Sequence, residues 1–461
     1  MSAGGEIHNS PLANFVQYRK NAPMDQNQTK PTRVVIVGGG FAGVYTAMWL
    51  ERIWMGDRRI EVTLVSRDNY FLMTPLLFEA SSGILEPRHA VNPIRPLLRH
   101  TRFIEAGVDA IDLDRQMVVA RSEFDEAYEI PFDHVVLALG GITNRSFIKG
   151  SEDSLTFKTM GDAIFLRNHA IQLFERADVE KDPQLKAALL TLIIVGAGLV
   201  GVELMGEMTE FLRNVCRSYP NVDWKEVKFE LIEAGPRIMP ELDEDLGGYA
   251  AEVLRRRGVN LRLNTKVSRI ENDRLQLEDG QILRAETIIV ATGVAPSPLV
   301  ASLPIEKDKR GRAIVAPTLR SHTRPNLWAL GDCSRVLDPE GKPYPPLAQH
   351  AIRQARVLAQ NITAALRGSE LKPFTYHSLG TLAALGHYQG VGRVMGLKIR
   401  GFLAWWVWRS YYLFQMPRWN RRIRIMLDWT IALMFKNDVV QLDLFGDEHP
   451  AEQSWRRRRK L

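Results

Sequence analysis

"RVVIVGGGFAGVYTAMWL", residues 33–50, decides the fold. Residues 34–37 are apolar and β-branched, the composition of a strand buried on both faces of a parallel sheet. Gly38-x-Gly40-x-x-Gly43 follows and opens an apolar helix. Gly38 permits a tight turn, Gly40 lets the backbone approach a pyrophosphate, and Gly43 lets helix and strand pack closely. The unpaired N–H groups and positive dipole end of that helix face the phosphates. Alone, the pattern also fits an ordinary glycine-rich turn.

A second copy argues against that reading. "TLIIVGAGLVGVELMGEM", residues 191–208, repeats strand, Gly196-x-Gly198-x-x-Gly201 and helix about 160 residues later. Two such units predict an α/β fold with two Rossmann-type domains holding two dinucleotides face to face, for which FAD and NAD(P)H are the natural pair. The acid ending the second strand of such a unit bonds a ribose hydroxyl. In the second unit this is Glu233, which favours NADH because a carboxylate repels a 2′-phosphate; Arg237 nearby weakens the preference. In the first unit Ser66 stands at that place, a neutral partner, with Arg67 or Asp68 as alternatives.

"VVLALGG" (135–141) and "TIIVATGV" (287–294, its glycine being Gly293) each read as a buried strand with a glycine turn, closing their respective sheets. Residues 255–283 have the short alternating strands and Asp279-Gly280 turn of a β-meander. In "NLWALGDCSRV" (326–336) a strand ends in Gly331-Asp332. Asp332 can accept from a ribityl or ribose hydroxyl, or it can be a plain turn aspartate.

The chain has 461 residues, 45% hydrophobic and 25% charged, enough for two or three domains. Its net charge of +7 is concentrated at one end. Residues 371–427 hold no Asp or Glu but carry Lys372, Arg393, Lys398, Arg400, Arg409, Arg418, Arg421, Arg422 and Arg424, and the tail "WRRRRK" (455–460) adds more. A basic end on a near-neutral body implies an anionic surface as partner. No recognition motif accompanies the charge, so nucleic acid is not expected. The two cysteines, Cys216 and Cys333, are far apart. They make no metal-ligand cluster and no disulfide framework, and no metal is expected. Residues 1–30 are polar, without a secretory signal, and read as a flexible leader.

These features together resemble the two-dinucleotide-binding-domain flavoproteins, and most closely the type II NADH:quinone oxidoreductases, the non-proton-pumping NADH dehydrogenases. The resemblance rests on "NYFLMTPLLFEASSGILEP" (69–87), "GAGLVGVELMGEM" (196–208), "EAGPRIMPELDE" (233–244), "PPLAQHAIRQA" (345–355), "GFLAWWVWRSYYL" (401–413) and "LDWTIALMF" (427–435). It implies that Gly38, Gly40 and Gly43 cradle the FAD pyrophosphate, that Thr74 and Pro75 line the flavin, and that Asp332 binds the ribityl chain. It further implies that Gly196, Gly198, Gly201 and Glu233 hold NADH, with Glu203 near the nicotinamide. Ala348 and Gln349 would begin a helix facing the isoalloxazine and a quinone. Two departures stand out: the family usually has an acid at Ser66 and Gln at Arg353. One turn after Gln349, Arg353 can hold a quinone carbonyl or signal a different acceptor. Glu203 can relay protons or be a solvated helix carboxylate, and His350 can donate a proton or simply be packed. Without paired redox cysteines, disulfide and sulfide chemistry is excluded.

The implied map is an FAD-binding domain over 31–160 and 300–390, an NADH-binding domain over 161–299 inserted in it, and a membrane-associating region over 391–461. Residues 401–414 contain three Trp, two Tyr and two Phe. They are too short and too interrupted by Arg409 to span a bilayer, but Trp and Tyr favour its interface. After Pro417, a helix over 420–435 gathers Ile423, Met426, Leu427, Thr430 and Met434 on one face and Arg421, Arg424 and Asp428 on another, the pattern of a helix lying in the interface. A core or homodimer interface is the alternative. The sequence thus predicts NADH:quinone oxidoreduction by a peripheral enzyme on the cytoplasmic face of a membrane. A soluble NAD(P)H-dependent flavin reductase feeding a carrier protein, and a slow redox-sensing FAD/NADH protein, remain open.

Overall fold

In the computed structural model, residues 30–55, 57–435 and 438–441 are described; the leader and the basic tail fall outside them, Lys30 apart. Strand β1 (Thr32–Val37) leads into α1 (Phe41–Trp54), β2 (Ile60–Ser66), the short helix α2 (Leu77–Ser81), β3 (Arg102–Glu105) and β4 (His134–Leu137). The run that opened the sequence analysis is fully buried, Val34 to Val37 all at 1% exposure or less. β1 pairs in parallel with β2 on one side and β4 on the other, so both faces must be apolar.

The chain then leaves along β5 (Gly141–Thr143) into a second unit: α3 (Met160–Val179), β6 (Thr191–Val195), α4 (Leu199–Cys216), β7 (Lys228–Ile232), α5 (Glu244–Arg256), β8 (Val259–Arg262) and β9 (Thr287–Val290). Its parallel sheet has the order β8-β7-β6-β9. The expected meander is present as three antiparallel strands, Val267–Glu271, Arg274–Leu277 and Ile282–Arg284. The chain returns along β10 (Val294–Pro296), which pairs antiparallel with β5. The outgoing and incoming strands thus form one two-stranded ribbon. β11 (Leu327–Ala329) completes the first sheet in the order β11-β4-β1-β2-β3.

Helix α6 (Ala348–Leu366) packs along α1. It is followed by an antiparallel sheet, β12 (Gly380–Ala384), β13 (Gly390–Val394) and β14 (Leu397–Arg400), and by helices α7 (Gly401–Gln415) and α8 (Trp419–Met434). This sheet straddles residue 390, where the sequence map drew a boundary. Among the described residues no helix is long and apolar enough to cross a membrane.

Helix α7 is split lengthwise. Ala404, Trp405, Trp408 and Arg409 are buried, while Trp406 at 55% and Phe414 at 68% stand outside. α8 uses Ile425 and Trp429 as its packing face, a pair the sequence reading had not separated from the rest. Ile423, Met426, Leu427, Thr430 and Met434 are exposed instead. Asp428, assigned to an open polar edge, is turned inward: its Oδ2 lies 2.5 Å from His89 Nδ1 and accepts the Glu86 N–H.

Candidate functional site

The two glycine loops are built alike. Gly38 and Gly196 have φ of 116° and 102°, and a Cβ on either would lie within 2.6 Å of a carbonyl oxygen of the neighbouring strand end, Ala138 or Ala291. A Cβ on Gly43 would come 1.8 Å from the Gly38 oxygen, and one on Gly201 1.9 Å from the Gly196 oxygen. Gly40, by contrast, faces open space, and Gly198 meets only the Glu241 carboxyl. Both are extended residues heading α1 and α4 with no side-chain cap. At the first loop the helix N-terminus faces open space, a shape that suits a phosphate; at the second the Leu199 N–H is turned to the Glu241 carboxyl.

At the end of β2, Ser66 stands over the first loop, its Oγ 2.4 Å from where a Gly39 Cβ would sit. Just after β7, Glu233 accepts the Ala197 N–H at 2.7 Å and the Gly235 N–H at 2.8 Å. The carboxylate is thereby fixed on the second loop, with lone pairs left for a ribose hydroxyl. Arg237, expected to weaken the preference for NADH, is held in place by donating from Nη1 and Nη2 to the Leu242 and Pro240 carbonyls, and keeps its charge. Glu233→Gln keeps the shape but drops the charge. The ratio of kcat/KM for NADH over NADPH is expected to fall by about tenfold, read from steady-state rates with each nucleotide.

The carboxyl ends of β1, β4 and β11 lie side by side, which brings their following turns together. In the turn after β11, the Gly331 N–H donates to Gln354 Oε1 at 2.8 Å, so α6 pins the turn that carries Asp332. Burial pushes the Asp332 carboxyl up, while Lys158 and Arg312 hold it back; burial likewise lowers the Lys158 ammonium. Neither Lys158 nor Arg312 was singled out from sequence, because lone cations in loops carry no motif. Gly331, Asp332, Ser334, Leu347, His350 and Gln354 line a cleft here. Thr74 and Pro75 form a tight 3₁₀ turn immediately before α2, and Ala348 opens α6 after an uncapped Leu347. Gly293, with φ of 93° and open space around it, lies at the ribbon between the two units. Its carbonyl accepts from Asn144 N–H, and Thr292 Oγ1 donates to the Asn144 oxygen.

The first turn of α6 is knitted to the segment after it. Gln349 Nε2 donates to Ser378 Oγ and the Gly380 oxygen, and Tyr376 donates to Gln349 Oε1. Arg353 does lie on the Gln349 face: it donates to the Gln349 oxygen and stacks on Tyr376, 4.3 Å from the ring centre. His350 is 4% exposed, with Nδ1 2.9 Å from the Pro345 oxygen. Burial lowers its pKa, and the ring is packed against the body of the fold.

Glu203 is no solvated carboxylate. It is 9% exposed and accepts the Ala384 N–H at 2.9 Å. Burial pushes it up to about 8, and Glu207 one turn on is pushed up to about 8 as well. Glu79 on α2 was missed entirely. It is 3% exposed and receives Arg409 Nε at 2.8 Å and Trp429 Nε1 at 2.6 Å. The available signal was a lone acid inside the apolar run "PLLFEAS", which only a buried cation could have matched.

The first cradle has an uncapped helix N-terminus at Gly40, a hydroxyl at Ser66, an acid at Asp332 and a second helix N-terminus at Ala348, a donor set that fits FAD. The second cradle with Glu233 fits NADH. Comparison with known proteins agrees. Residues 32–355 match the pyridine nucleotide-disulphide oxidoreductase family, and residues 378–438 match the NDH2 C-terminal domain. A probable NADH dehydrogenase of Dictyostelium discoideum is 31% identical, with 92% of this chain and 94% of that protein covered. The type II NADH:quinone oxidoreductase Ndh of Mycobacterium tuberculosis is 30% identical over 90% of this chain and 91% of its own. The structure of NDH2 from Plasmodium falciparum in complex with NADH superposes with a TM-score of 0.82 at 19% identity, covering 89% of this chain and all of that one. With both nucleotide units and the C-terminal module shared along nearly its whole length, the chain belongs to the type II NADH dehydrogenases of the pyridine nucleotide-disulphide oxidoreductase family.

Proposed function

We infer that this protein oxidises NADH through FAD and passes two electrons to a quinone at a membrane surface, without pumping protons. The observation that carries the reading is the pairing of two glycine loops at helix N-termini with an outward-facing oily edge on α7 and α8. When bound, FAD supplies the hydride and electron chemistry; the chain supplies position. Gly38, Gly40, Gly43, Ser66 and Asp332 hold its phosphates and sugars, and Thr74, Pro75 and Ala348 border the ring. Gly196, Gly198, Gly201 and Glu233 hold NADH, Gly293 borders the gap between the two units, and Glu203 sits at the nicotinamide end. Gln349 and Arg353 shape the acceptor side, where the stacked guanidinium offers donors to a quinone carbonyl.

A quinone dissolved in lipid must be met at the bilayer. Phe402, Leu403, Trp406, Phe414, Trp419 and Leu433 are all exposed on the C-terminal helices, with Arg418, Arg421 and Arg424 beside them. Apolar side chains edged by arginines suit the interface of an anionic leaflet, each basic residue adding about 1 kcal/mol. This supports a peripheral enzyme docked through its C-terminal region on the cytoplasmic face; the same edge is also the place for a homodimer contact. The domain map that goes with this reading is the one drawn from sequence, with the C-terminal module taking in the whole β12–β14 sheet.

The test is anaerobic. The yellow enzyme is reduced with NADH, then mixed with a short-chain quinone in water or a long-chain quinone in anionic vesicles. Flavin reoxidation is expected with both. Leu403→Gln/Trp406→Gln alters only exposed side chains, so it is expected to keep the first rate and lose vesicle pelleting and at least about tenfold of the second rate. No reoxidation by any quinone rejects the acceptor. Conversion of a dimer to a monomer with vesicle binding intact reassigns the edge to subunit contact.

A further inference from the structure

The hydride route supplies only one of the two hydrogens a quinol gains: NADH, quinone and one proton give NAD⁺ and quinol. That proton comes from water and must cross a buried seam to the site. The seam lies between α4 and the C-terminal module. Glu203, Glu207 and Glu210 fall at i, i+4 and i+7 on α4 and therefore share one face. The middle carboxyl is 4% exposed and receives Ser82 Oγ–H at 2.6 Å. The outer one reaches the surface, where Glu210 pairs with Arg257 at 2.9 Å. The inner one holds the Ala384 N–H at the edge of β12. Beside Glu203 the Trp408 indole is 1% exposed, with its Nε1–H turned toward the carboxyl.

We propose that Glu207, with Ser82, is a second proton carrier of this enzyme, passing protons from the Glu210 surface to Glu203. The assignment rests on the quinone reductase reading above. In each turnover the Glu203 O–H bond breaks and the proton ends on a quinone oxygen at the acceptor side shaped by Gln349, which β12 ties to Glu203 through Gly380 and Ala384. Glu207, one helical turn away, re-protonates Glu203 and is refilled from solvent past Glu210. No electrons move in these steps, and one proton enters for each quinol released. The carboxyl can hold a proton at neutral pH because its surroundings keep it short of water. The charged groups facing it are Glu79 from α2, Glu203 and Glu210 from its own helix, Arg257 from the end of α5, and Arg409 from α7. Tyr412 on α7 adds a neutral hydroxyl near Glu203.

The experiment uses full-length, FAD-loaded enzyme reduced by NADH. Flavin reoxidation is followed by stopped flow from pH 6 to 9 with a short-chain quinone, which takes up protons, and with ferricyanide, which does not. Glu207→Gln is isosteric with the protonated acid. It is expected to slow quinone reoxidation by about tenfold or more relative to ferricyanide and to flatten the alkaline limb of the pH profile. Ser82→Ala removes a donor that favours the ionised carboxylate. Its alkaline limb is expected to move to higher pH, a shift that a merely structural serine would not produce. Wild-type rate ratios and pH profiles in both variants would overturn the proposal while leaving the wild-type quinone rate, and hence the quinone reading, intact. A wild-type flavin that no quinone reoxidises would remove both.

Discussion

Replacing Arg409 with methionine is expected to destabilise the protein by about 3–5 kcal/mol, the effect of stripping one partner from a buried ion pair. Arg409 and Glu79 have side-chain exposures of 7% and 4% and meet at 2.7 Å. The guanidinium also lies between two indoles, 4.2 Å from Trp405 and 4.7 Å from Trp429. Methionine fills much of the volume but leaves Glu79 charged in an apolar setting, with only the Trp429 N–H to satisfy it. The carboxyl then has to take up a proton or draw in water, and α7 and α8 lose their shared anchor. Urea unfolding should show the loss, and limited proteolysis should cut first between 401 and 435. The double variant Glu79→Gln/Arg409→Met removes both charges while keeping an acceptor for Trp429. It is expected to recover most of the stability. An Arg409→Met protein as stable and protease-resistant as the wild type would mean that the pair does not hold the helices.

The second large effect concerns the first cradle. Gly43→Ala places a methyl group 1.8 Å from the Gly38 oxygen. Neither partner can yield cheaply, because one is the first turn of α1 and the other is the phosphate loop itself. Overpacking by one methyl typically costs about 1–3 kcal/mol, and the strain falls on the backbone that must grip the pyrophosphate. FAD affinity is expected to drop by about 10- to 100-fold, seen as a pale protein with a low flavin-to-protein absorbance ratio. Gly201→Ala is the internal control. Its Cβ would meet the Gly196 oxygen at 1.9 Å, so the variant should stay yellow while its KM for NADH rises. Loss of flavin from the Gly201 variant, or full flavin in the Gly43 variant, would reverse the assignment of the two cradles.

Much of this was legible in the residues themselves. The phosphate loops follow from local rules: β-branched runs become buried strands, and glycines at fixed spacing are the only residues whose backbone and missing Cβ fit there. The acid at Glu233 and the turn at Asp332 follow from their place after a strand. The aromatic, acid-free C-terminal region also declared itself, since seven rings within 14 residues have few uses.

Other features have no local cause. Glu79 is 330 positions from Arg409, and neither residue's neighbours announce the pair. Periodicity gave α8 an apolar face, but both of its faces are apolar, and only packing against the body selects Ile425 and Trp429 for burial and leaves Ile423, Met426 and Met434 outside. Asp428 looked like a surface charge until the fold set His89 against it. Arg237 carries no sign in the sequence of the two backbone carbonyls that fix it.

Sequence alone determined which segments become strand, loop and helix and where the two glycine loops turn, because those preferences are written within a few residues. The tertiary structure alone decided which charges are buried, which face of the C-terminal helices meets the body, and that a row of carboxyls on α4 runs from the surface at Glu210 to the buried Glu207 and Glu203. A side chain's solvent and partners are set by distant parts of the chain, and only folding brings them within reach.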